Sequence, residues 1–147
     1  MRNFVFHLDT LLRHRKRLEE KERERLAWVH YRLENERRCL RELQSKHAEV
    51  RTEMAGLEPR NYDPAEVGWY CVFLNRLDRQ MDQVQKRIVG LKSELERQMA
   101  LWVERTKDRR VLEHLQEKKE HEHVLAMDRL EQKTVDELVV TRFAGNK

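Results

Sequence analysis

GLEPRNYDPAEVG, residues 56–68, holds both prolines of the chain and two of its four glycines. Charged and apolar residues fill nearly everything on either side of it. Pro59 cannot continue a helix and pushes Glu58 out of the α region, so a helix arriving from upstream must stop there. Asp63-Pro64-Ala65-Glu66 then supplies a capping oxygen, a proline suited to the first helical position and a carboxylate at the third. One helix ends and another begins within about six residues, a connection short enough to make the two helices antiparallel neighbours.

The flanks carry the periodicity that such a pair requires. Upstream, Leu26, Val29, Leu33, Glu36, Leu40, Leu43, His47, Val50, Met54 and Leu57 alternate steps of three and four, and eight of these ten are apolar. Downstream, a seam runs through Val67, Tyr70, Leu74, Leu77, Met81, Val84, Ile88, Leu91, Leu95, Gln98, Trp102, Arg105, Arg109 and Leu112, with eleven of fourteen apolar. Near the start, Leu8, Leu11, Arg15, Leu18 and Glu22 follow the same rule in another phase, and the step from Glu22 to Leu26 reads as a four-residue stutter. Beyond Leu112 the seam fades into EKKEHEH, leaving a tail that is helical by propensity and weakly packed.

Composition supports the same class. The chain has 147 residues, 39% of them charged and 39% hydrophobic, too few apolar groups to wrap a globular core of that size. Leu, Glu, Lys, Arg and Gln dominate, as in long helices, whose straight side chains lose little freedom. The expected fold is all-α: one rod-like, long two-helix antiparallel coiled-coil hairpin over residues 1–147, with helix one at about 5–57, a hinge at about 58–63, and helix two at about 64–141 overhanging at its C-terminal end.

Charge is unevenly placed. Residues 1–56 carry 14 basic and 10 acidic side chains, whereas residues 57–147 carry 17 of each, so the formal charge of +4 lies wholly in the first segment. Much of it is RHRKR, Arg13 to Arg17, readable as a solvated helix face or as a patch for nucleic acid or an anionic surface. Cys39 and Cys71 are the only cysteines and form no CxxC, which suggests neither a disulfide framework nor structural zinc and points to a reducing compartment. No apolar stretch approaches the roughly 20 residues that span a bilayer, and MRNFVFHLDTLL meets Asp9 and the basic run too soon for a signal sequence. A cytoplasmic protein is expected.

Catalytic chemistry finds little to stand on. There are only two serines, Ser45 and Ser93, and no glycine-rich phosphate loop. His114, His121 and His123 lie among glutamates, but no pair has the i, i+4 spacing that turns two imidazoles to one metal. No enzyme activity, cofactor or metal is expected.

What stands out lies off the seams. Trp69, Val72 and Phe73 form an i, i+3, i+4 stripe on helix two, extended by Arg76, and Trp28 with Tyr31 forms a smaller one on helix one. Phe73 flanks the seam and reads equally as a shield for it or as part of a docking surface, whereas Trp69 and Trp28, turned away from the partner helix, favour docking.

FVFHLDTLLRHRKRLEEKERERLA, WYCVFLNRL just after the break, LEHLQEKKEHEH and the closing EQKTVDELVVTRF together resemble the FliJ family of the bacterial flagellar type III export apparatus. The resemblance follows the whole chain in order. It implies a non-enzymatic central stalk, a coiled coil inserted in a FliI-like export ATPase hexamer and touching an FlhA-like export gate protein, with export chaperones as further partners. It also implies a monomer in solution that binds no nucleic acid, cytoplasmic and peripherally associated with the inner membrane at the flagellar base. Carried across, the gate would meet Phe73 and Leu77 with the facing Leu43, Lys46 and Val50, and the stripe of Trp69, Val72 and Arg76 beside them joins that expected surface. The ATPase would meet Leu8, Leu11, Leu12, Arg13, Arg15, Lys16 and Arg17 together with the C-terminal segment. The other readings are the stalk of a virulence-type III secretion ATPase and a structural or nucleic-acid-binding coiled coil.

Overall fold

The computed structural model describes residues 3–61 and 63–145. Two α-helices account for almost all of them, α1 at Asp9–Ala55 and α2 at Pro64–Gly145, folded as an all-α two-helix hairpin. The break acts as its residues require. Asp63 Oδ1 accepts the Ala65 N–H at 3.0 Å, and its carbonyl accepts the Val67 N–H at 3.2 Å, so Asp63 is the N-cap and Pro64 the first helical residue. At the end of α1 the Gly56 N–H reaches back to the Thr52 and Glu53 carbonyls, closing the last turn.

The contacts gather into two compact units, and each has its own core. In Glu22–Trp102, the buried Leu33, Val84, Ile88 and Leu91 form a cluster joined by the half-buried Cys39, Leu40, Leu43 and Leu95. All ten expected seam positions from Leu26 to Leu57, the last just past the end of α1, and all fourteen of α2 from Val67 to Leu112, are buried or half-buried. Polar and charged side chains paired on the flanks mark an antiparallel register: His47 with Asp78 at 3.0 Å, Arg87 with Glu36 at 3.2 Å and Arg32 with Glu94 at 3.8 Å.

The second unit comprises the described residues up to Lys21 and those from Val103 onward. Phe6, Leu12 and Leu112 are its buried centre, with Phe4, Leu8 and Leu115 against them. Here the structure corrects three expectations. Helix one starts at Asp9 rather than near residue 5, because Phe4 and Phe6 leave helical geometry to lay their rings on α2, Phe4 reaching His123 at 5.6 Å. The turn is closed by the Asp9 N–H donating to the Phe6 carbonyl at 3.1 Å. Helix two also continues past residue 141 to Gly145. From Asp128 to Gly145 every described residue is exposed, as a fading seam predicts.

The third correction concerns the start of the α1 seam. Leu11 is 38% exposed, and Leu12, at 2%, takes the inward place. Leu8, Leu12, Arg15, Glu19, Glu22 and Leu26 then step by four and three in strict alternation, so no stutter exists. The cost is three polar residues on the inward stripe, each answered from α2. Arg15 donates to the Asp108 carbonyl at 2.8 Å, Glu19 pairs with Arg109 and accepts from Thr106, and the buried Glu22 accepts from Gln98 and from Arg25. Hydrogen bonding to Glu19, then to Glu113 at 2.6 Å, raises the Arg109 pKa still further from the physiological range. Trp102 Nε1 is buried with no partner among the described residues, and nothing in the structure accounts for it.

Both cysteines are free, Cys39 half-buried against the Leu33 cluster and Cys71 exposed on α2. The Glu36–Arg87 and His47–Asp78 pairs place Cys39 beside residues well beyond Cys71 on α2, an axial separation of roughly 20 Å at about 1.5 Å per residue. Bonded cysteines keep their Cα atoms within about 7 Å. Mild oxidation of dilute protein should therefore give no internal disulfide by mass spectrometry, and its rapid formation would refute this register.

Candidate functional site

Two surfaces gather the residues singled out in the sequence, one in each unit. In Glu22–Trp102, the cap at Asp63 starts α2 so that its first turns face the last turns of α1 across an open groove of about 590 Å³. Lys46, Val50 and Glu53 line it from α1; Asp63, Ala65, Glu66, Trp69, Tyr70 and Phe73 line it from the cap and α2. Trp69 is 76% exposed, Val72 65% and Phe73 38%, and Arg76 continues the exposed stripe. Tyr70 is half-buried and Val50 buried, so they form the apolar floor between the helices.

Leu77 behaves differently from its neighbours. It is 4% exposed, a seam residue whose side chain is spent on the α1–α2 packing. Leu43 and Val50 are likewise inward, Leu43 against the Leu33 cluster. Lys46 is accessible, with Glu49 on the same helix at 3.7 Å. Farther along α1, Trp28 and Tyr31 remain exposed and stack on one another at 5.6 Å with an interplanar angle of 23°.

The basic run occupies the other unit and is not uniform. Arg13 pairs with Asp9 at 2.9 Å, Lys16 stands 4.0 Å from Glu113, and Arg17 is exposed. Arg15, half-buried on the Asp108 carbonyl, helps hold the helices together. Leu8 and Leu12 belong to the Phe6 core, which leaves Leu11 as the accessible leucine beside the run. The histidines of EKKEHEH do not converge. His114 is exposed beside Glu117 at 3.7 Å and His123 meets Phe4, and among the described residues no three His, Cys, Asp or Glu come together as a metal site.

A hairpin of two unequal helices, with an aromatic stripe just after the turn and a basic run near the chain start, can be compared with known families. The family model described as Flagellar FliJ protein matches residues 4–147. The chain belongs to the FliJ family. Neither a curated protein nor a solved structure is matched by it. FliJ membership places the chain in flagellar protein export, a type III secretion process, as a structural component of the export apparatus. Among the described residues no helix is long and apolar enough to cross a membrane.

For this FliJ-family chain, periodicity found the accessible stripe directly, because Trp69, Val72 and Phe73 fall off a seam that is otherwise apolar. It missed the inward turn of Phe6 and Leu12. The signal was present in Leu12, Arg15, Glu19 and Glu22, but reading it requires placing Glu19 on the seam in preference to the apolar Leu18.

Proposed function

We propose that this protein is the stalk-like link of the flagellar export machine, engaging the export ATPase through one unit and the export gate through the other, on the cytoplasmic side of the inner membrane at the flagellar base. Export chaperones are further candidates for the accessible aromatic surface. The observation that carries the reading is the off-seam stripe of Trp69, Val72 and Phe73, whose apolar area the helix pair itself does not use. Both seams find partners within the one chain, so a second copy is not needed to bury them, which supports a monomer. The gate-facing surface is Trp69, Val72, Phe73 and Arg76 with Lys46 across the groove, Leu77 acting beneath it as a support. The ATPase-facing surface is Leu11, Arg13, Lys16 and Arg17, held by the Leu8, Leu12 and Arg15 layer and continued by the exposed C-terminal turns of α2.

The basic run gives the test at the ATPase end. Replacing Arg13, Lys16 and Arg17 by Gln removes accessible charge without touching the core, so helicity by circular dichroism should hold. Affinity for the purified ATPase should fall by about tenfold, with a shallower salt dependence, since such steering is screened by salt. Unchanged ATPase binding in the triple variant would contradict the assignment. Steeply salt-dependent binding of the wild-type chain to short RNA or DNA, lost in the same variant, would support the nucleic-acid reading instead.

A further inference from the structure

The groove behind the aromatic stripe has a charge pattern of its own. Four charged side chains line it: Lys46, Glu53, Asp63 and Glu66. Lys46 is answered by Glu49, and Asp63 is engaged as the α2 cap. Glu53 and Glu66 are exposed, and among the described residues neither has an ion-pair partner. They lie with Trp69, whose ring is largely accessible, over a floor of Val50, Tyr70 and Phe73. An aromatic face beside unpaired carboxylates attracts a cation by two routes, the ring quadrupole and direct charge. The apolar floor takes a hydrophobic side chain.

We propose that the groove selects a cationic amphipathic segment of its protein partner, an apolar side chain seated on Tyr70 and Phe73 and a flanking Lys or Arg held between Trp69 and the carboxylates of Glu53 and Glu66. This rests on the docking role of the Trp69 stripe and adds its charge selectivity. The opposite preference, an acidic segment drawn by Lys46 and Arg76, is disfavoured because Lys46 already faces Glu49 and Arg76 is not part of the groove lining.

Three labelled helical peptides of roughly 15 residues, long enough for a few turns, share one leucine face and differ only in whether the flanking positions are Lys, Gln or Glu. They are titrated against the full chain by fluorescence anisotropy at low and high salt. The Lys peptide should bind about tenfold more tightly than the Gln peptide, and the Glu peptide more weakly still, with the differences shrinking as salt screens them. In the Glu53→Gln, Glu66→Gln double variant the Lys and Gln peptides should become nearly equal, with Gln-peptide affinity and Tm unchanged. Trp69→Ala should weaken all three. Equal binding of the Lys and Gln peptides, tighter binding of the Glu peptide, no binding of any, or a preference that survives in the double variant overturns the proposal. A parallel titration with the cytoplasmic part of the gate protein separates the two layers. If that binding needs Trp69 while the peptides show no charge order, the docking role stands and the charge selection fails. If it ignores Trp69, the docking role itself fails.

Discussion

Leu91→Ala should lower the unfolding free energy by about 2 to 5 kcal/mol, the range for emptying a well-packed leucine site. Leu91 is buried with Leu33, Val84 and Ile88, and Leu95 and Leu43 close the same cluster, so few neighbours can move to fill the void. For a chain of this size a loss of about 3 kcal/mol corresponds to a fall of roughly 10 °C in Tm. Leu33→Ala should act alike from the α1 side. Circular dichroism melts measure both, and partner binding should return on cooling below the transition, because the exposed stripe is untouched. A Tm within a degree or two of wild type for both variants would mean that this cluster is not the core of its unit.

Trp69→Ala and Phe73→Ala should show the reverse balance. Trp69 is the most exposed of the aromatics beside the groove, so its loss removes surface that the helix pair does not use, and Tm should stay within about 2 °C of wild type. Binding to the cytoplasmic part of the gate protein should fall by more than about tenfold, as expected when a large aromatic at the centre of an interface is truncated. Phe73, half as exposed, should lose less binding and somewhat more stability. If Trp69→Ala melts as early as Leu91→Ala, the stripe is core.

How much of this could be read from the chain alone depends on where polar residues fall. The break at Pro59 and Pro64 was legible because two rules act there at once, helix termination and capping, and the Asp63 bond to Ala65 is the outcome. The seams from Leu26 to Leu57 and from Val67 to Leu112 were legible because apolar residues keep a three-four alternation long enough to fix the inward face. Near the chain start the same rule misled. Choosing Leu11 and Leu18 over Leu12 and Glu19 created a stutter, whereas the fold keeps the phase and satisfies Arg15, Glu19 and Glu22 from Asp108, Arg109, Thr106 and Gln98 across the hairpin. Those partners lie some 76 to 93 residues away in sequence, beyond the reach of any local pattern.

The accessible surfaces divide along the same line. Exposure of Trp69 and Val72 followed from helical phase, as did the ambiguity of Leu77, which sits on the seam and proves buried. The groove itself was not legible, since it arises only when Lys46 and Glu53 of α1 come to face Glu66 and Trp69 of α2. Nor was the mixed character of RHRKR, in which Arg15 turns inward to a carbonyl while Arg13 and Arg17 stay accessible. A run of like charges in sequence is distributed around a helix by its 3.6-residue period, and only the partner helix determines which member is captured.

The most direct test of the link is retention of the gate protein's cytoplasmic part on immobilised export ATPase, with and without this chain. Retention should rise several-fold when the wild-type chain is added. With Trp69→Ala the chain should remain on the ATPase while the gate fragment is lost, and with Arg13, Lys16 and Arg17 changed to Gln both should be lost together. Gate retention that is the same with and without the chain, or displacement of one partner by the other, would contradict the account.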